Sequence, residues 1–351
     1  MKKTLFALLA ISLLASACNR GGEEGSAGAA NNASGGKKLK IVFIPKQSGN
    51  AYFDEVDKGF KEAANELKCD YSMVAPASGD ATSQIPVIKA QIQEGVDVIA
   101  LSANSPDALN EVLDQAKAKG ITVVTVDADL MGNEAHRDAA VLQADPVKVG
   151  ESELALMGKL INNKGDFAIL SATADAPNQN AWIAAMKDAL KQPKYVGMHL
   201  VATVYGDDEP QKSTAECEGL LSKYPDLRGI LAPTSKGLPA CAQTVERSGV
   251  FPKGPHAKGD GIQVTGLSTP TQMKKYIDKG EVTAFQLWEP ANMGYLAVYV
   301  GSQIHDGKLK PDEGAEITTP KFGKQKFAAK QVLYGGDLIT FDKSNIDKYN
   351  F

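Results

Sequence analysis

The chain has 351 residues, 43% hydrophobic and 23% charged, which is the composition of a globular protein and not of a disordered or fibrous one. A formal net charge of −4, with no basic cluster interleaved with aromatics, argues against a nucleic-acid partner. The length exceeds one comfortable hydrophobic core, so two lobes are expected.

In chain order, residues 1–17 read as a secretory signal peptide. Lys2 and Lys3 form a positive start, Leu5 to Leu14 is a short apolar run, and Ala15-Ser16-Ala17-Cys18 follows. The apolar run is too short for a stable membrane anchor. Cys18 stands where a lipoprotein signal peptidase would leave a new N-terminus, so it is the expected lipidation site. Ala15-Ser16-Ala17 also satisfies the ordinary A-x-A rule, and both rules cut before Cys18. Residues 18–36 are then the lipidated Cys and a Gly, Ala, Asn and Ser linker that buries nothing and behaves as a tether. No later segment is long and apolar enough to cross a membrane.

From Leu39 onward, β-branched runs alternate with amphipathic helical stretches. Leu39-Lys40-Ile41-Val42-Phe43-Ile44-Pro45 predicts a strand, and residues 51–67 a helix with Val56, Phe60, Ala63, Ala64 and Leu67 on one face. Asp97 to Leu101 predicts a buried strand. Ser105-Pro106-Asp107 is expected to cap the next helix, Gly120 to end it, and Ile121 to Val126 to form a strand. Then come strand 167–170, helix 178–190, strand 200–205, helix 211–224, strand 229–232, helix 238–248, strand 263–267, helix 271–279, strand 282–287 and helix 291–306. This alternation predicts an α/β protein of two doubly wound parallel sheets.

Ligands bind such sheets outside the carboxyl ends of the strands. Lys46, Asn50 and Phe53 follow the first strand, and Asp127 and Asp129 follow Val126. Asn178 and Gln179 follow Leu170, Pro233 and Ser235 follow Ala232, and Trp288 follows Leu287. Acceptors, donors and flat rings together suit a polyol, whose hydroxyls need partners and whose C–H face needs an apolar cover. Each residue also has a plainer reading. Asp127 and Asp129 fit loop caps, or a metal or acid–base pair; Trp288 fits a core residue, Lys46 a solvated surface cation, and Asn178 a helix cap.

Enzyme signatures are missing. There is no G-x-x-x-x-G-K-[ST], no G-x-G-x-x-G after the first strand, no H-E-x-x-H and no G-x-S-x-G. The four His residues (His136, His199, His256, His305) follow no strand end. Cys69, Cys217 and Cys241 match no zinc pattern and read as small buried side chains, with a Cys217–Cys241 bridge left open. No enzyme activity, cofactor or metal is expected.

The segments Phe43-Ile44-Pro45-Lys46, Asp127-Ala128-Asp129, Asn178-Gln179-Asn180-Ala181-Trp182, Ala202 to Asp208, Ala232-Pro233-Thr234, Leu287-Trp288-Glu289-Pro290 and Asn345 to Phe351 carry a resemblance. The chain resembles the type I periplasmic sugar-binding proteins of ABC importers, in the branch of rhamnose-binding and autoinducer-2-binding proteins. The resemblance implies two lobes joined by a three-strand hinge, with crossings expected near Ala144, Trp288 and Lys308. The N-terminal lobe is then 39–144 plus 289–307, and the C-terminal lobe 145–288 plus 308–351. It also implies that Lys46, Asp127, Gln179 and Pro233 hold the ligand. Autoinducer-2 binders carry an Asp where this chain has Asn178, and an Ala where it has Ser235. Those departures turn the expectation toward a deoxy sugar, rhamnose, with an autoinducer-2 receptor or a sugar sensor for a membrane receptor as alternatives. In this reading Asp127 accepts from hydroxyls, Lys46 and Asn178 donate, and Phe53 or Trp288 covers the apolar face. The implied partners are a small sugar and the permease subunits of an importer. The implied form is a monomer, lipid-anchored in the periplasm or at the cell surface.

Overall fold

The computed structural model describes residues 37–251 and 261–351. The expected signal peptide, lipidation site Cys18 and tether, and His256, lie outside the described residues. The first sheet begins with β1 (Lys40–Ile44), α1 (Ala51–Leu67), β2 (Asp70–Met73), α2 (Ile85–Glu94), β3 (Val98–Leu101), α3 (Asn110–Ala118), β4 (Thr122–Val126) and β5 (Ala139–Leu142). Side chains of β1 alternate between two cores. Ile41 and Phe43 face the α1 side, while Val42 and Ile44 join Ile88, Leu109 and Leu113 on the α2–α3 side. A parallel strand covered on both faces needs apolar residues at every position, and β3, β4 and β5 are buried throughout.

The chain then builds a second sheet from α4 (Pro146–Leu160), β6 (Lys164–Ser171), α5 (Pro177–Ala189), β7 (Gly197–Tyr205), α6 (Pro210–Lys223), β8 (Leu227–Ala232), α7 (Gly237–Ser248), β9 (Gln263–Gly266), α8 (Pro270–Lys279) and β10 (Ala284–Leu287). Proline opens four of these five helices, where its missing N–H costs nothing. The remainder is α9 (Pro290–His305), β11 (Glu316–Thr319), β12 (Gly323–Lys326), β13 (Val332–Tyr334) and β14 (Ile339–Asp342).

The strand orders are β13-β5-β4-β3-β1-β2 and β7-β6-β8-β9, parallel throughout. The second sheet continues through a parallel Leu267–Gln286 bridge into β10, which pairs antiparallel with β14. The expected two-lobed, doubly wound α/β architecture is the one observed. In each sheet the strand order reverses beside the first-entered strand (β1 and β6), which opens a crevice at its carboxyl end.

Two expectations are corrected. The return to the second lobe near Lys308 does not occur: α9 packs on α1 and β3–β5, the β11–β12 hairpin packs on α9, and β13 pairs with β5. The third crossing follows Tyr334, so 308–334 stays with the first lobe. Ser105 does cap a turn, accepting from the amides of Asp107 and Ala108, but α3 begins only at Asn110. Glycine is required where α1 and α9 meet, because a Cβ on Gly59 or Gly294 would collide with the facing backbone carbonyl of Ala291 or Val56.

Candidate functional site

A cavity, ≈ 370 Å³ with the open solvent space at its mouth included, lies between the carboxyl ends of the two sheets. From the first lobe it is lined by Lys46, Asn50, Tyr52, Phe53 and Asp127. From the second it is lined by Asn178, Gln179, Trp182, Asp208, Pro233, Thr234, Ser235 and Leu267, and at the β10 end by Leu287 and Trp288. Nine of the ten sequence-predicted site residues are therefore brought together.

Asp129 is the exception, and the expectation that it binds ligand is corrected. Its carboxylate takes a two-point contact from Arg137 (Nε 2.6 Å, Nη2 2.7 Å) and the Thr125 hydroxyl at 2.6 Å. Arg137 Nη2 also reaches Lys330 O at 2.8 Å. This buried ion pair ties the β4 end to the segment before β13 and does not line the cavity.

Asp127 is the centre of the polar half. Its backbone is left-handed, φ 68°, where Asp is one of the few tolerated side chains. The Tyr52 hydroxyl donates to Oδ1 at 2.7 Å, and Ser102 donates to Oδ2 at 2.9 Å. From the other lobe Asn178 Nδ2 donates to Oδ2 at 3.3 Å. Lys46 Nζ donates to Asn178 Oδ1 at 2.8 Å, also across the lobes. Asn178 lies inside α5, whose N-cap is Ala176, yet its Oδ1 also accepts from the first-turn amide Gln179 N at 3.0 Å, so it serves the helix end while facing the cleft. Its two-faced amide satisfies a cation with its oxygen and a carboxylate with its nitrogen, a combination an Asp could not supply. Asn50 does cap α1, accepting from Tyr52 N at 3.1 Å, and its oxygen also accepts from Ser235 Oγ at 3.1 Å. Gln179 is held by Ser171 Oγ and Ala172 N at 2.7 and 2.8 Å. The Asp208 carboxylate accepts from the Thr234 hydroxyl.

Burial pushes the Lys46 ammonium below its ordinary range, opposed by the charges of Asp127 and Asp208. Burial raises the Asp127 carboxyl, opposed chiefly by Lys46 and then by the Tyr52 and Ser102 hydrogen bonds. Burial and the neighbouring Asp127 charge drive the Tyr52 phenol well up, so it stays a neutral donor.

The apolar half is Phe53, Trp182, Leu267, Leu287 and Trp288. Trp288 packs edge-to-face on Trp182 (5.8 Å) and on Tyr52 (6.1 Å), and its indole N–H donates to the Tyr52 hydroxyl at 2.9 Å. Trp288 is thus buried, as a core residue would be, and also forms a wall of the cavity.

Sequence reasoning missed Tyr52, Trp182, Asp208, Thr234, Leu267 and Leu287. Trp182 was detectable, since it lies four residues after Asn178 on the same helix face. Asp208 stands just beyond the β7 end, which was not considered as a site loop. Leu267 and Leu287 carry no signal beyond core. Among the described residues no cluster of His, Cys, Asp and Glu could hold a metal ion, and no helix is long and apolar enough to cross a membrane.

Two parallel-sheet lobes closing on a polar and aromatic cavity define a protein that captures a small ligand between its halves. Residues 41–309 match the periplasmic binding protein domain, and the chain belongs to that family, one of binding proteins and not of enzymes. It is similar to an ABC transporter solute-binding protein from Clostridium phytofermentas with bound L-rhamnose (31% identity, 89% of this chain and 98% of that one, TM-score 0.83). It is also similar to LsrB from Clostridium saccharobutylicum in complex with AI-2 (25% identity, 89% and 100% covered, TM-score 0.81). The ribose import binding protein RbsB of Bacillus subtilis is 22% identical over 88% of this chain and 95% of its own length.

Proposed function

We propose that this protein is the extracytoplasmic receptor of an ABC sugar importer and captures a 6-deoxyhexose, rhamnose, in the interlobe cavity. The observation that carries the reading is the division of the cavity into two halves. Lys46, Asp127, Asn178, Gln179 and Asp208 offer donors and acceptors for ring hydroxyls, while Phe53, Trp182, Leu267, Leu287 and Trp288 offer apolar surface for a C–H face and an exocyclic methyl. The similarity to a rhamnose-bound relative supports it. Export and lipidation at Cys18 complete the proposal, with the closed lobes presented to permease subunits.

A thermal-shift screen of pentoses, hexoses and 6-deoxyhexoses tests the ligand class. A bound sugar stabilises the folded state by RT ln(1 + [L]/Kd), about 2.7 kcal/mol at 100 times Kd. Rhamnose is expected to give the largest shift; a larger shift from a pentose would overturn the choice.

A second reading, an AI-2 receptor, is favoured by the likeness to the AI-2-bound relative. Asn178 and Ser235 argue against it. The amide supplies a donor where an acid only accepts, and the hydroxyl adds bulk to the same wall. Calorimetry should find rhamnose bound more tightly than AI-2, with the gap narrowed in the Asn178→Asp, Ser235→Ala double variant by about 1–3 kcal/mol. Wild type preferring AI-2 would reverse the assignment.

A further inference from the structure

Besides the direct bonds between lobes inside the cavity, one more joins them outside its lining. Gln47, on the loop after β1, sends its amide across to the second lobe, where Nε2 donates to Asp208 O at 3.0 Å. Gln47 is buried, yet it does not line the cavity. It sits at a lip of the cleft. A Cβ added to Gly79 of the first lobe would lie 3.4 Å from Gln47 Oε1, 3.8 Å from the Thr173 methyl and 3.9 Å from Asp207 O, both of the latter in the second lobe.

The receiving loop is held in place. Asp207 and Asp208 are both left-handed, φ 52° and 53°, a conformation that persists only where surrounding bonds over-determine it. Here Gly206 N and Asp207 N donate to Ser171 O and Ala172 O at 2.9 and 3.1 Å, Lys212 pairs with Asp207, and the Thr234 hydroxyl donates to the Asp208 carboxylate. One residue thus does two things: the Asp208 carboxylate faces the cavity, and its carbonyl faces Gln47.

We propose that Gln47 and Asp208 form a clasp that holds the lobes shut, so that Gln47 sets the lifetime of the bound complex without touching the ligand. Opening must break this bond, because it spans the two bodies that separate. Gln47 therefore acts on every ligand alike, whereas Asp208 also discriminates among them through its carboxylate. The affinity part of this inference rests on the proposed sugar site; the closure part does not.

The test uses Gln47→Ala and the near-isosteric Gln47→Glu, which keeps the shape but cannot donate to a carbonyl. Two readouts are taken on the full chain. The first is the interlobe distance distribution, from spin labels at exposed positions of each lobe without sugar. Both variants should lose closed population relative to wild type. The second is sugar dissociation by stopped flow for rhamnose and for each weaker sugar that binds. Rates should rise by one common factor, about three- to tenfold for loss of a neutral hydrogen bond, with the rank order of sugars unchanged. Asp208→Asn should instead alter the rank order. Wild-type closed populations in both Gln47 variants, or a changed rank order, overturn the clasp. A shifted distance distribution in a protein that binds no sugar supports the clasp and refutes the proposed function alone.

Discussion

Asp127 shows how much of the site depends on a single backbone conformation. Its φ of 68° aims the carboxylate between the lobes, where it takes donors from Tyr52, Ser102 and Asn178. Asn tolerates this conformation and Ala does not. Asp127→Asn should therefore cost sugar affinity by about 2–4 kcal/mol through loss of a charged acceptor, with little change in chemical denaturation. Asp127→Ala should show the same loss in calorimetry and a further destabilisation of about 1–2 kcal/mol from the left-handed backbone. Equal unfolding midpoints for the two variants would remove the backbone argument. The charges also predict a bell-shaped affinity. Burial raises the Asp127 carboxyl above the usual 3.8, so it protonates, and binding is lost, as pH falls through that raised value. Burial lowers the Lys46 ammonium below the usual 10.5, so binding is also lost as pH rises through the lowered value. In Lys46→Met the alkaline limb should vanish from the titration while the acid limb remains. Lys46, Asp127 and Asn178 were legible because they follow strands. The ion pair that takes Asp129 out of the cavity was not, since Arg137 lies in a loop whose path depends on β13.

At the scale of elements, most of the alternation was legible to within a residue or two at many ends, because buried parallel strands are unbroken apolar runs and prolines mark helix starts. Two of the omitted strands share a cause. Strand β2 is a mostly exposed edge of sequence Asp-Tyr-Ser-Met, and β12 is Gly-Lys-Gln-Lys, so neither offers an apolar run. Helix α4 was also passed over, and it holds an oddity in its buried face. Glu153 is 1% exposed, and neither carboxylate oxygen has a hydrogen-bond partner. Burial alone pushes its pKa well above the usual 4.5, so the folded protein keeps a proton that the unfolded chain releases. Between those two values stability falls as pH rises. Glu153→Gln removes that proton linkage while preserving shape. It should raise Tm by a few degrees at about pH 8 and leave it unchanged at about pH 4. Scanning calorimetry across that range decides it: a pH-independent difference would mean that Glu153 finds a partner.

Three crossings join the lobes, after β5, after β10 and after β13, and the first and third are bonded to each other. Gly335 N donates to Leu142 O at 2.6 Å and Gly336 N to Gln143 O at 3.1 Å, so the first and third crossings run side by side. The two lobes were legible from length and alternation. The third crossing was misplaced because the polar β11–β12 hairpin gives no sign of which lobe it serves until β13 pairs with β5. Gly336 has φ 155°, which L side chains rarely adopt, and the nearest atom to an added Cβ is Asn292 Nδ2 at 3.9 Å. Space is therefore ample, and the cost of Gly336→Ala is conformational, about 1–3 kcal/mol. Hinges absorb opening in a few backbone dihedrals of the crossing segments. A residue whose glycine-only conformation belongs to the closed arrangement is relieved on opening, so its strain appears as weakened binding and not as lost stability. Gly336→Ala should bind sugar roughly 5- to 150-fold more weakly, with wild-type unfolding of the unliganded protein. If calorimetry shows unchanged affinity while urea unfolding shifts by the full cost, Gly336 holds its conformation in both arrangements and the rotation lies in the crossings after β5 and β10.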